Sequence, residues 1–283
     1  MTIKIDGSVE AGVSGSSIPL SLQIENNNDV IIVAVGTLDH NGYVTVSQIA
    51  SSPSLTWKKR QSQTYYTSSG YYEDFEEWYA ISPSSGSLSI TVTLTSAPSW
   101  SGQGVAFGIS GADTTIIFDS NANANPTGSG HGTTCSVSIS TSNVNDLIVG
   151  LVSTSGFQPQ AGSAYTPIQL KTQIGSEYNV VSSPQSGTIV DFSFSTTFWI
   201  EIADAIVAGP DIPAPPTQDS SAPLASSAGT AQDYSIPQQP TGKTLYTGNY
   251  IIAKVNGYRM LITDAQLQQY LDNGDDVEVV NLP

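Results

Sequence analysis

The densest run of chemistry-bearing residues is Glu73-Asp74-Phe75-Glu76-Glu77-Trp78-Tyr79. Two carboxyls roughly 5–10 Å apart can act as acid and base, or as acid and nucleophile, on a glycosidic bond. On an extended strand Asp74 and Glu76 share one face at roughly 7 Å, and Glu73 and Glu77 share the other. That spacing suits a glycoside hydrolase or lyase. Acids on both faces also suit an exposed edge strand protected from aggregation by its charge. The edge-strand reading is preferred, because no second carboxylate cluster is present to shape a pocket.

The two histidines read as turn residues: His40 in Leu38-Asp39-His40-Asn41-Gly42 and His131 in Gly130-His131-Gly132. No Gly-x-Ser-x-Gly elbow, Walker loop or His-Glu-x-x-His accompanies them. Serine is so frequent that a Ser-His-Asp trio could be picked by chance. No catalytic residue is therefore assigned, and the chain is not expected to be an enzyme. The aromatics are more suggestive. Tyr65, Tyr66, Tyr71 and Tyr72 flank a Ser68-Ser69-Gly70 turn, and Trp78 follows. Tyrosine-rich loops can stack on sugar rings or anchor a protein contact at low entropic cost. Asp39, Asp113, Asp119 and Asp146 lie at or near expected turns, where Ca²⁺ could find oxygen ligands, although no EF-hand spacing exists. No other cofactor is indicated.

The elements that must position these residues are strands. Val30 to Val35 is a continuous β-branched run, as in a strand buried on both faces. Leu88 to Leu94 alternates, so one face is dry and one wet. Val105–Ile109, Ser136–Ser140, Leu147–Val152 and Val190–Ile200 add further strands, with Gly, Asn, Ser and Pro clusters between them. Many short strands and turns point to an all-β sandwich or jelly-roll domain over residues 1–208. Asn28-Asp29-Val30-Ile31-Ile32-Val33 is echoed by Asn145-Asp146-Leu147-Ile148-Val149. The echo fits a duplicated half-sandwich or the reuse of one turn-strand junction.

Residues 209–241 hold seven prolines among Ser, Ala, Gln and Thr, and read as a linker. Residues 242–283 read as a small ββαβ module. Tyr250 to Val255 and Arg259 to Ile262 form a hairpin about Asn256-Gly257, a helix spans Ala265 to Leu271, and Val277 to Val280 is the last strand. So small a module gains stability by docking, and Tyr258, Leu267 and Tyr270 are its candidate docking residues.

Charge narrows the partners. The chain of 283 residues carries a formal net charge of −16, and residues 1–208 hold five bases against 16 acids. Such a surface repels phosphate backbones and anionic lipid, so nucleic acid and membrane are poor partners. The single cysteine, Cys135, excludes an intrachain disulfide, and one Cys with two His cannot assemble a zinc site. The N-terminus lacks the apolar run of a signal peptide, so the expectation is a protein made in a cytoplasm.

One series carries a resemblance: Leu55-Thr56-Trp57-Lys58-Lys59-Arg60, Glu77-Trp78-Tyr79-Ala80, Ser89-Ile90-Thr91-Val92-Thr93, Ala106-Phe107-Gly108-Ile109-Ser110-Gly111-Ala112-Asp113 and Asn145-Asp146-Leu147-Ile148-Val149-Gly150, in that order. It resembles a β-sandwich module of surface and virion proteins of bacteria, archaea and their viruses, over residues 15–207. These are packing and turn motifs, so the resemblance implies fold and carries over no functional residue. Read together with the linker and the small C-terminal module, the architecture points to a virion structural protein, such as a capsid decoration, head-fibre or turret component. Such a protein would be a homo-oligomer docked on a capsid or other virion protein. The alternative is a carbohydrate-binding or adhesin module that meets a cell-surface glycan.

Overall fold

A computed structural model describes residues 2–210 and the strand residues 250–255, 258–263 and 277–279. The chain divides into two units, Met1–Thr217 and Gln218–Pro283. In the second unit, strands β15 (Tyr250–Val255) and β16 (Tyr258–Thr263) pair antiparallel, and β17 (Val277–Val279) adds to the other side of β15. Val255 lies opposite Tyr258, so the connection has two residues, as expected of Asn256-Gly257. The expected linker and helix, with Leu267 and Tyr270, lie outside the described residues, and Tyr258 is described only as a strand position.

The first unit is built from antiparallel strands. Its first eight are β1 (Lys4–Gly12), β2 (Ser17–Ile24), β3 (Asp29–Asp39), β4 (Val46–Ser52), β5 (Lys58–Tyr66), β6 (Tyr72–Ser82), β7 (Gly86–Leu94) and β8 (Ser101–Ser110). They form two sheets, ordered β1-β8-β3-β6-β5 and β2-β7-β4. Six more strands follow: β9 (Thr127–Ile139), β10 (Leu147–Thr154), β11 (Gln160–Ala161), β12 (Thr166–Leu170), β13 (Ile174–Val180) and β14 (Thr188–Ile206).

These six repeat the plan of the first eight. The front half of β9 and the back half of β14 pair with each other and continue through β10 and β13 to β12. The back half of β9 pairs with the front half of β14, which also pairs β11. The strand orders match those of the first repeat, with each of two long strands doing the work of two short ones. A register shift between Ser193 and Thr197 marks where β14 passes from one layer to the other. The expectation of one sandwich over residues 1–208 is thus refined to two sandwiches in tandem.

Residue identities follow the same plan. Asn28 and Asn145 both adopt left-handed backbone, with φ of 61° and 63°, a conformation asparagine tolerates better than most residues. Each introduces a buried aspartate, Asp29 or Asp146, and then a central strand. Aligning these strands puts Tyr79 of β6, opposite Ile32, on Tyr178 of β13, opposite Val149. It also puts Ala106 on Ala203 and Ile109 on Ile206.

The period-two alternation of β3 then explains the layering. Val30, Ile32 and Ala34 meet Leu147, Val149 and Leu151 in a core shared by the two large sheets. Ile31, Val33 and Val35 face the other way, onto Ile18, Leu20, Leu22, Leu88, Ile90 and Val92 of the small sheet. Ile148 likewise meets Val137, Ile139 and Val190 within the second repeat. Both central strands are buried on both faces because each is sandwiched twice. Gly36 lies where β3 and β10 of the two large sheets come close, since a Cβ there would sit 2.4 Å from Ser153 Oγ.

Candidate binding site

The structure separates the sequence candidates. Tyr66, Tyr71 and Tyr72 gather at one end of the first repeat, with His40, Tyr43 and Trp100. His40 lies 4.3 Å from Tyr71 and 5.6 Å from Trp100 between ring centroids, and Tyr71 lies 5.4 Å from Trp100. Tyr72 bridges Tyr43 at 5.1 Å and Tyr66 at 4.7 Å. Several of these rings meet edge to face, a favoured aromatic geometry. The patch stays open: Trp100 is 58 % exposed, Tyr66 56 % and Tyr43 42 %.

Three chain segments hold it. Asp39 ends β3, and its carboxylate accepts the backbone N–H of Asn41 and that of Ser99. Ser99 Oγ in return accepts the His40 N–H at 3.0 Å, so the segments carrying His40 and Trp100 are stapled together. Burial alone would raise the Asp39 carboxyl, but these donors outweigh it and hold it below its ordinary range. The β5–β6 turn closes on buried Thr67, whose Oγ1 accepts the Tyr71 N–H at 3.0 Å. Gly70, at φ 84°, supplies the left-handed residue the turn needs.

The second repeat is an internal control. Carrying the registers on past the last paired residues puts Lys171 where the first repeat has Tyr72, and Thr197 where it has Trp100. Its corresponding turn is shorter, closed by Lys171 N–H on Ile174 O. Phe157, in the place of His40, is the one aromatic among these matches. The second repeat thus fills this end differently, with Phe157, Phe198 and Trp199 nearby but no ring at the places of Tyr72 and Trp100.

Two candidates do not belong to this patch. Tyr65 lies against the shared core, 6.2 Å from Phe198. Trp78 packs into the core of the first repeat and donates its indole N–H to Glu76 Oε2 at 2.7 Å. Both are corrections: alternation along β5 and β6 turns them onto faces already covered. His40, Tyr43 and Trp100 were missed because they lie far from the tyrosine turn in sequence, and only the loop geometry unites them.

The acidic run also needs correction. β6 is flanked by β3 and β5, so it is no edge strand, and Glu73, Asp74, Glu76 and Glu77 are all buried. Their division between faces is as expected. Glu73 and Glu77 point with Phe75 toward the second repeat, where Glu73 accepts the Ser155 hydroxyl and Glu77 meets Asn125. Glu76 faces the other way and takes Val46 N–H at 3.0 Å and Lys59 Nζ at 2.7 Å. Burial pushes Asp74 up to about 8 and Glu73 to about 7, with Glu76 adding to the rise at Asp74. These acids lie inside the protein, shielded from solvent. A groove of about 650 Å³ bordered by Leu55, Lys58, Tyr79, Ile117 and Phe118 is lined by no carboxylate or histidine.

His131 is a further correction: it lies within β9, opposite Phe198, not in a turn. Of the four aspartates considered for Ca²⁺, only Asp119 and Asp146 come together. Asp113 Oδ1 caps its own turn at Thr115 and Ile116. Among the described residues no group of three metal-ligating side chains is found. Cys135 is buried.

Comparison with family models, with curated proteins and with solved structures returned no match.

Proposed function

We propose that the chain is a non-catalytic display protein of a virion surface, a decoration, fibre or turret component, whose tandem-sandwich head meets its ligand through the aromatic end of the first repeat. The aromatic end carries the reading. Six rings in two sets of three, three of them widely exposed, are held in fixed geometry at one end of the first repeat. A large exposed apolar cluster without a packing role marks an interaction surface. The sealed carboxyls weigh against a hydrolase, because an acid that cannot reach solvent cannot protonate a substrate.

The same rings favour a second reading, a carbohydrate-binding or adhesin module, and the two are compatible. Ring faces rimmed by tyrosine hydroxyls suit a neutral glycan, whereas an anionic one meets a chain of net charge −16. In the display reading the C-terminal unit is the anchor. A chain ending at residue 241 is then expected to stay in the supernatant when particles from the producing cells are sedimented, while the full chain pellets with them. Pelleting of the truncated chain, with the C-terminal unit alone left behind, would reverse the roles of head and anchor.

A further inference from the structure

The two repeats share one more feature, which lies away from the aromatic end. Each buries an aspartate at the start of its central strand against a second aspartate from the preceding edge segment. In the first repeat these are Asp29 and Asp6, 0 % and 5 % exposed; in the second, Asp146 and Asp119, also 0 % and 5 %. We propose that each pair shares a single proton, making the head a fold that is favoured in acid and loosened as the medium turns alkaline.

The division of labour within each pair is visible in its partners. Asp6 Oδ2 accepts Glu25 N–H at 2.9 Å, Asn26 N–H at 2.8 Å and the Asn26 side-chain amide at 3.0 Å. Asp119 Oδ2 accepts Ser142 N–H at 2.7 Å, Asn143 N–H at 3.2 Å and the Asn143 side-chain amide at 2.7 Å, while Oδ1 takes Asn121 N–H and the Ser142 hydroxyl. These two are the ionised members, each in a nest of donors. Asp29 and Asp146 have no such nest: neither oxygen of Asp29 meets a hydrogen-bond donor, and Asp146 has only Asn143 nearby, whose amides are already given to Asp119. A buried carboxylate without donors is costly, whereas a neutral carboxyl can donate to its partner. The same division occurs at matching positions in sequences that have otherwise diverged, so it is a property of the repeat.

The surroundings offer little competing charge. Asp6 and Lys4 of β1 are the charged groups facing Asp29, while β8 brings Gly108 and β6 brings Ser82. Asp146 faces Asp119, with Asp204 of β14 beyond it, and receives only backbone from Val181. Burial, then the bond to Asp6 and its charge, raise Asp29 to about 8, partly offset by Lys4. Burial and Asp119 raise Asp146 to about 7, partly offset by Asn143. The partners move the other way. Burial opposes the change, but the donors prevail, lowering Asp6 and taking Asp119 to about 2.

The direction with pH follows. Above about pH 4 each pair keeps a proton that the unfolded chain has released, until about pH 7 for Asp146 and about pH 8 for Asp29, and stability falls as pH rises across that window; the other buried acids, Glu73 and Asp74 among them, act in the same sense and are common to wild type and variant. Below about pH 4 the donor-held Asp6 and Asp119 act in the opposite sense, and their contribution is lost as they protonate. The head is thus most stable in mild acid.

The test is chemical denaturation of the full chain at pH 5 and pH 9, beside Asp29→Asn/Asp146→Asn. An asparagine amide can donate to Asp6 or Asp119 at either pH. The wild type is expected to lose roughly a hundredfold or more in its folding equilibrium constant from pH 5 to pH 9. The double variant should lose clearly less. Equal losses would overturn the proposal. Should the variant fail to fold, ¹³C carboxyl titration of the wild type decides: midpoints for Asp29 and Asp146 near 7–8 support it, and midpoints below 5 refute it.

Discussion

Replacing Arg60 by alanine is expected to cost about 3–5 kcal/mol of folding stability, the usual effect of orphaning a buried charge. Arg60 stands on β5 of the first repeat, and its guanidinium grips Asp204 of β14 in the second. Nε meets Oδ2 at 2.7 Å and a terminal nitrogen meets Oδ1 at 3.0 Å. It also lies 4.0 Å from the Phe118 ring centroid. Asp204 and Glu77 are both fully buried nearby, and burial and their mutual repulsion already push Glu77 well above its ordinary range. Burial raises Asp204 to about 6, even with the Arg60 bonds opposing the rise. Without the guanidinium, two buried acids face each other with no cation. For a head of this size the loss corresponds to a fall in Tm on the order of 10 °C. Arg60→Met combined with Asp204→Leu should recover most of it, since an apolar pair can replace a buried ion pair at little cost. Calorimetry of the two variants beside wild type checks this, and an Arg60→Ala protein within about 1 kcal/mol of wild type would show the bridge to be incidental.

The second large effect is expected at Phe107. By register it occupies in β8 the position that Asp204 occupies in β14. Each side chain points into the core between the large sheets, so one repeat joins that core with a ring and the other with a charge. Phe107 is fully buried among residues of both repeats. Phe107→Ala should cost about 3–5 kcal/mol, from lost transfer energy and the cavity left behind. If the two sandwiches fold as one cooperative unit, the unfolding curve shifts as a whole. A new early transition with the later one unmoved would mean that the shared core contributes little to either repeat.

Much of this fold is legible in the sequence, for definite reasons. The run Val30 to Val35 has no polar interruption because β3 is covered on both sides, and Leu88 to Leu94 alternates because β7 is covered on one. The Asn-Asp echo at 28 and 145 marks the duplication, but its extent is hidden. In the second repeat β9 and β14 bend from sheet to sheet without a turn: β14 has no glycine or proline to mark the change, and Gly128, Gly130 and Gly132 of β9 read as a turn although the strand runs through them. The acidic run misleads because Glu73 to Glu77 look like surface residues by type. They are tolerated inside through Lys59, Arg60, Ser155 and Asn125, partners up to 82 residues away in sequence. At the aromatic end the tyrosine turn is visible, whereas Trp100 joins only because Asp39 ties its loop to β3.

The central claim is that those rings form a contact face. Its most direct measurement is a titration of the full chain with neutral hexose oligosaccharides, wild type beside Trp100→Ala, with Tm recorded for both. The prediction is saturable binding to the wild type and a loss of about tenfold or more in the variant, as for truncation of an aromatic hot spot. Tm should barely move, since Trp100 is mostly exposed. No glycan binding by the wild type, or equal binding by both, would contradict the claim.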